Sequence, residues 1–226
     1  MAPTSFPTFV LALATAAARL GSLIVAVEFA DDAREPTAAY LRSHGTVNDR
    51  LPMLSTPWWQ RRDGRASLAM LAMVEGLRKL VSVGADIEID VLDAAAPGNP
   101  RSEWNQIARE QLLAQRLLEI RGRGATLVLS GNVHAEFVPR SDAAADLIPA
   151  AALIAAETRV VSRRTPRRRC IVVHSADRGE LVTAAHPVEG RDLGSRTFLE
   201  IDPLSPSRRG IAYVGRITPS PPTITP

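Results

Sequence analysis

The chain has 226 residues, 46% hydrophobic and 23% charged, proportions that exclude intrinsic disorder of the whole chain and suit one domain of ordinary globular composition. Its 14 glycines and 17 prolines are too few for a collagenous or low-complexity protein, and the single cysteine, Cys170, excludes an internal disulfide framework or a zinc site built on several thiolates. The formal net charge is +3, carried almost wholly by arginine, with Lys79 the only lysine, and no run of about 18 apolar residues exists, so no membrane-spanning helix is expected.

Residues 7–20 place Phe9, Leu13, Ala16, Ala17 and Leu20 at helical spacing. No positive charge precedes this stretch, so an Ala-rich helix is expected rather than a secretory signal, and Gly21 suits a left-handed helix stop. The run Leu23-Ile-Val-Ala-Val-Glu28-Phe29 is nearly continuous in apolar, largely β-branched residues, the pattern of a parallel strand buried on both faces. Residues 31–44 read as a polar helix or loop. Residues 45–64, with Pro52, Pro57, Trp58, Trp59 and Gly64, read as a long irregular loop. Over 65–81, Met70, Met73, Val74, Leu77, Leu80 and Val81 share one helical face, and Glu75 with Lys79 forms an i,i+4 pair on another.

At 85–92, Ile87, Ile89 and Val91 alternate with Glu88 and Asp90, as in a strand with one more exposed face nearer a sheet edge. After the turn at 97–100, residues 102–121 read as a long helix with Ser102 as its cap, closed by Gly122 and Gly124. A third strand is expected at 126–130, ending at Gly131. The Ala-rich stretch 143–156 is expected to be helical, with Pro149 interrupting or starting the helix. Further strands are expected at 169–174 and 210–214.

Helices and short apolar strands alternate as far as residue 130. This order predicts an α/β fold of three layers, a mostly parallel sheet flanked by helices. One domain is expected over 1–216, followed by an irregular Pro-rich tail at 217–226. The basic cluster of Arg163, Arg164, Arg167, Arg168 and Arg169 has no aromatic partner for stacking and reads as a solvated loop, not a nucleic-acid site.

Ligands of open parallel sheets collect outside the carboxyl ends of the strands. Glu28 stands there inside an apolar run, where a carboxylate needs a partner or takes a raised pKa. Asp93 follows the second strand, and Gly131-Asn132-Val133-His134 follows the third. If the three strands are parallel neighbours, these groups converge. A carboxylate and a histidine can share proton transfer or ligate a metal. The bland alternative is a strand-end histidine and asparagine bonded to local backbone, with Glu28 paired to an arginine. Among the other histidines, His44 reads as a surface residue, His174 as a strand-end residue and His186 as a turn residue before Pro187. The tryptophans read as packing or lid residues and Cys170 as a buried small hydrophobe.

Three stretches are similar to the superfamily that contains ChaN-like haem-uptake lipoproteins, TIKI metalloproteases and erythromycin esterases. They are the strand carrying Glu28, the stretch Trp58-Trp59-Gln-Arg-Arg-Asp63-Gly64-Arg65-Ala-Ser67 with the helix and strand that follow, and Leu127-Val-Leu-Ser-Gly131-Asn132-Val133-His134-Ala135. The resemblance covers roughly residues 6–137 and is most specific in the third stretch. It implies a hydrolytic cleft with Glu28 and His134 as catalytic residues, activating water or together binding a divalent metal. Arg65, Asp93, Asn132 and Gly131 would be substrate-binding or supporting residues. ChaN-like members suggest the alternative of a non-catalytic protein binding haem or another small ligand.

Two departures bear on this reading. The family's Gly-Glu-x-His-Gly motif would lie just before Phe6 and is absent, so the chain is expected to be N-terminally incomplete relative to the family, which leaves its activity open. A sheet lacking that strand would re-pair or dimerise through its free edge. The compartment likewise stays open, cytoplasmic as written and exported if a signal precedes this start. In the later long helix the family's Arg-Asp pair before Met-Ala is replaced or shifted, Glu103-Trp104 standing before 105–108.

Overall fold

A computed structural model describes residues 6–61, 65–93, 103–120, 123–131, 134, 147–161, 180–181, 184–187, 198–200 and 211–213. The apolar run at its heart forms β1 (Leu23–Ala30), flanked by β2 (Ile87–Asp93) and β3 (Ala125–Leu129). Both neighbours run parallel to β1, in the order β2-β1-β3, with Val25 opposite Ile89 on one side and Leu127 on the other. A central strand has no solvated face, which is why residues 23–27 and Phe29 are all 3% exposed or less.

Side chains alternate across a strand, and β1 divides accordingly. Leu23, Val25, Val27 and Phe29 pack into one core with α1 (Phe6–Ala17), α2 (Arg34–Leu41), α3 (Val47–Leu54) and α4 (Leu68–Ser82). Ile24 and Ala26 pack into a second core with α5 (Glu103–Glu119) and α6 (Ala150–Val161), through Leu113, Ala114, Ile120 and Ala150. The expected three-layer α/β arrangement is therefore present. Parallel crossovers are right-handed. The step from β1 to β2 and the return from β2 past β1 to β3 run in opposite directions, so their helices lie on opposite faces.

The stretch 45–64 is not one long loop. Residues 47–54 form α3, because Thr46 and Asp49 build a reciprocal cap. Asp49 N–H donates to Thr46 Oγ1 at 3.2 Å, and Thr46 N–H donates to Asp49 Oδ2 at 2.9 Å. Pro52 forgoes its own backbone donor, yet the helix continues past it, with Ser55 N–H donating to Leu51 O at 2.9 Å. The polar stretch at 31–44 contains α2 after a short 3-10 turn at Asp31–Ala33. Gly21 sits at φ 137°, a backbone that side chains disfavour, and it releases the chain from the first helix into β1.

The alternation of β2 does not expose Asp90. Its side chain is 7% exposed because Arg34 crosses from α2 and pairs with it, with Arg116 of α5 at 3.6 Å. Arg34 also donates to Val91 O at 2.5 Å and to Asp31 at 2.8 Å. Only Glu88 of that polar pair reaches solvent. Trp58 and Trp59 are packing residues, 1% and 0% exposed, with ring centroids 4.0 and 5.6 Å from Phe29. Pro149 precedes α6, so it starts the helix rather than interrupting it.

Two antiparallel pairs follow, β4 (Glu180–Leu181) with β5 (Ala184–Pro187) and β6 (Phe198–Glu200) with β7 (Ile211–Tyr213). β7 answers the strand expected at 210–214, whereas His186 belongs to a strand, not a turn. The strand expected at 169–174, Cys170, His174, the arginine cluster, Ser102 and the tail at 217–226 lie outside the described residues. Among the described residues, β2 and β3 each pair with β1 alone, and no helix is long and apolar enough to cross a membrane.

Candidate functional site at the ends of β1 and β3

The even-numbered face of β1 is apolar through Ile24 and Ala26 and ends at Glu28, which turns toward α5 at the carboxyl end of the sheet. β3, beside it, ends at Leu129, and the chain then passes through Gly131 to His134. Strand order reverses at β1, and crevices at such reversals are where open α/β sheets place ligands. Glu28 and His134 meet there. Their side chains are 16% and 13% exposed, and His134 Nε2 lies 3.6 Å from Glu28 Oε1.

Each member of the pair is held from a different element. Gly131 N–H donates to Glu28 Oε2 at 2.7 Å, and the Arg109 guanidinium of α5 pairs with Oε1. On the far side of the imidazole, Nδ1 lies 2.6 Å from Glu110 Oε1. Glu110 is 3% exposed, and its other oxygen accepts from Ala150 N–H at 2.8 Å. One carboxylate thus holds the histidine and the first turn of α6 together. The resulting line is Arg109, Glu28, His134, Glu110, drawn from β1, α5 and the exit of β3.

The charge states follow from these contacts. Burial pushes the Glu28 carboxyl up, but the hydrogen bond and charge of His134, the Gly131 N–H and the Arg109 charge outweigh it and bring it down to about 2. Burial pushes His134 down, but carboxylates on both ring nitrogens outweigh it and raise it to about 9. At neutral pH the pair is a carboxylate facing an imidazolium. The imidazolium can donate a proton or stabilise a developing oxyanion, and the carboxylate can orient a donor such as water.

Of the anticipated residues, Glu28, Gly131 and His134 come together. Asp93 ends β2 and its backbone pairs with Ala30, at the same end of the sheet. Asn132 lies outside the described residues. Arg65 is an exposed residue in the turn before α4, next to Ala66 of the core on the opposite face. The described arginine on Glu28 is Arg109. His44 is exposed, as expected of a surface residue.

Arg109 and Glu110 escaped the reading of the sequence, although one signal was there. Glu110 precedes Leu113, Ala114 and Leu117 at spacings of 3, 4 and 7, so it occupies the apolar stripe of α5. A charged residue in a place the helical period reserves for apolar ones is the same anomaly that singles out Glu28.

A divalent metal, which the resemblance implies, fits the described residues poorly. Glu28 and Glu110 lie at opposite nitrogens of one ring, so they cannot join His134 on a single ion. The Arg109 cation already occupies Glu28 Oε1. Among the described residues, no group of three or more His, Cys, Asp or Glu is arranged to hold a metal. A cleft of about 480 Å³ opens elsewhere along α5, between Leu92, Leu112, Arg34 and Arg116. Its lining includes none of Glu28, His134, Arg109 or Glu110. No family model, curated protein or solved structure matches this chain.

Proposed function

We propose that the protein is a hydrolase of the ChaN, TIKI and erythromycin esterase type, in which Glu28 and His134 act on water and substrate at the ends of β1 and β3. The observation that carries this reading is the ordered line from Glu110 through His134 to Glu28, 2.6 Å on one side of the ring and 3.6 Å on the other. An acidic partner on Nδ1 fixes the orientation of a catalytic histidine and leaves Nε2 for chemistry. Here Nε2–H donates to the oxygen that gains charge as an ester or related bond breaks. Glu28 orients the attacking water by accepting its hydrogen bond; as the new carbon–oxygen bond forms, the water's proton passes by way of Glu28 to solvent, and the His134 Nε2 proton goes to the leaving oxygen. Binding of haem through His134 has less support, because an axial ligand must be an unprotonated ring nitrogen, and the carboxylates beside the ring favour the imidazolium.

The direct test is hydrolysis of p-nitrophenyl acetate and butyrate by the wild type, Glu28→Gln and His134→Ala, with and without Mn²⁺, alongside a haem absorbance titration. His134→Ala is expected to lower kcat/KM by about 10²-fold or more. The pH profile is expected to fall through about 9 as the imidazolium is lost, whereas a histidine base would make it rise there. A His134→Ala variant that is folded and as active as the wild type ends the enzymatic reading.

A further inference from the structure

The cleft along α5 lies near the carboxyl end of β2 and shares no residue with the Glu28–His134 line. Its volume of about 480 Å³ falls within the range of small-molecule sites, about 300–1,000 Å³. Leu92 of β2 and Leu112 of α5 give it apolar surface, and charged side chains border it from two sides. Asp31 and Arg34 come from the entry to α2, and Arg116 and Glu119 from α5.

Together with the buried Asp90, these four form a chain of contacts that alternates in sign. Arg34 Nη2 donates to Asp31 Oδ1 at 2.8 Å, and its Nη1 pairs with Asp90 Oδ1. Arg116 Nη2 lies 3.6 Å from that same Asp90 oxygen, and its Nη1 donates to Glu119 Oε2 at 3.1 Å. Three carboxylates stand against two guanidinia, which leaves one negative charge over. The guanidinia are unequally used. Arg34 donates to Asp31, Asp90 and Val91 O. Arg116, with five N–H groups, makes one hydrogen bond among the described residues, and its Nε is buried without a partner. Across the cleft, Asp31 gives Oδ1 to Arg34, while its Oδ2 accepts from no described group.

These needs select a ligand. A simple anion would find Arg116 but would meet the excess negative charge and the Glu119 carboxylate already there. A simple amine would balance the charge and leave Arg116 short of acceptors. An ammonium with a carbonyl oxygen one carbon away supplies both. The ammonium donates to Asp31 Oδ2, the carbonyl oxygen accepts from Arg116, and an apolar side chain lies on Leu92 and Leu112. We propose that this cleft binds an α-aminoacyl group with an apolar side chain, that of a free amino acid or of a peptide amino terminus, between Asp31 and Arg116. The proposal goes beyond the hydrolytic reading, and binding here and hydrolysis at His134 are separate measurements.

The test is an NMR titration of the whole chain at about pH 6.5, where an α-amino group is protonated. Leucinamide is expected to shift the backbone amide signals of Asp31, Arg34, Gln115 and Arg116 saturably. Isopentylamine, which lacks the oxygen, and isocaproamide, which lacks the ammonium, are expected to bind about tenfold or more weakly, the usual effect of losing one hydrogen bond to a charged group. Leucine, run beside leucinamide, separates the two sources: tighter leucine assigns free amino acids, and tighter leucinamide assigns a peptide terminus. Arg116→Met and Asp31→Asn each remove one anchor while Arg34 still pairs with Asp90, and each is expected to weaken the tighter ligand about tenfold. Truncated ligands that bind as well as leucinamide, wild-type affinity in both variants, or no saturable shift with either leucine compound overturns the proposal.

Discussion

Two carboxylates of this chain are held equally low, at about 2, and the difference between their settings separates a brace from a site. Glu75 belongs to the corner where α2, α3 and α4 meet. The hydrogen bond from Arg78 is the main cause of its low value; burial opposes it, and Tyr40 and Lys79 add to it. Arg78 lies one turn along the same helix, 2.9 Å away, and also donates to Ser43 O at 3.3 Å. The Tyr40 hydroxyl donates to Glu75 and accepts from Arg50 Nε at 3.2 Å. The Arg78 guanidinium fills the space beside Gly45.

Glu28 differs in two respects. Its partners are far away in sequence, at 109, 131 and 134. One of them is a histidine, able to change charge at a moderate pH. A low carboxylate pKa by itself therefore does not mark function. Long-range assembly and a titratable partner together are the better sign of a site.

Replacement of Glu110 should break this contrast most severely. Glu110→Ala leaves the His134 imidazolium and the Ala150 N–H buried without their partner, and removing one member of a buried pair costs about 3–5 kcal/mol. Denaturant unfolding should show a loss in that range, together with loss of any hydrolytic activity. A loss below about 1 kcal/mol would mean that Glu110 neither positions the ring nor docks α6.

Alkaline pH is expected to act almost as strongly, and on one cluster only. The folded value of His134 lies above its ordinary 6.5, so the stability it lends is complete below about 6.5 and disappears as pH rises to about 9. The full shift corresponds to about 3 kcal/mol. The Glu28 contribution runs the other way, complete above about 4.5 and lost as pH falls toward 2. Unfolding at pH 7 and at pH 9.5 should differ in the wild type and much less in His134→Ala. Equal pH dependence in both would remove the ion pair from the account.

The brace should respond more modestly. A Cβ at Gly45 would collide with the Arg78 guanidinium, and φ there is 80°, so Gly45→Ala is expected to cost about 1–3 kcal/mol. Glu75→Gln keeps the shape but weakens the bonds to Arg78, and about 1–2 kcal/mol is expected. Neither change should alter the pH profile of the site. If either does, the two clusters are coupled through the sheet, and the line drawn between brace and site is wrong.

Sequence periodicity was enough for the scaffold. An unbroken apolar run can be satisfied only by a strand covered on both faces, so β1 was legible, and the helical repeat at 68–82 did the same for α4. Glu28 and the stretch 131–134 were legible as strand ends, because parallel strands bring their carboxyl ends to one edge. The prolines and tryptophans of 45–64 suggest a loop, but the Thr46–Asp49 cap is a local signal that fixes a helix start there. Alternation alone leaves Asp90 on an exposed face, because it carries no information about Arg34 reaching over from another element.

What the amino-acid order settled by itself is therefore the set of elements and the edge of the sheet where chemistry can gather, since both follow from short-range rules of backbone and burial. Only the tertiary structure decided which charges meet. The choice of Arg109 over Arg65 for Glu28, and of Glu110 for His134, depends on the face of the sheet each helix covers. That is set by the direction of the crossover and the packing of α5 over β1 and β2, not by any spacing along the chain.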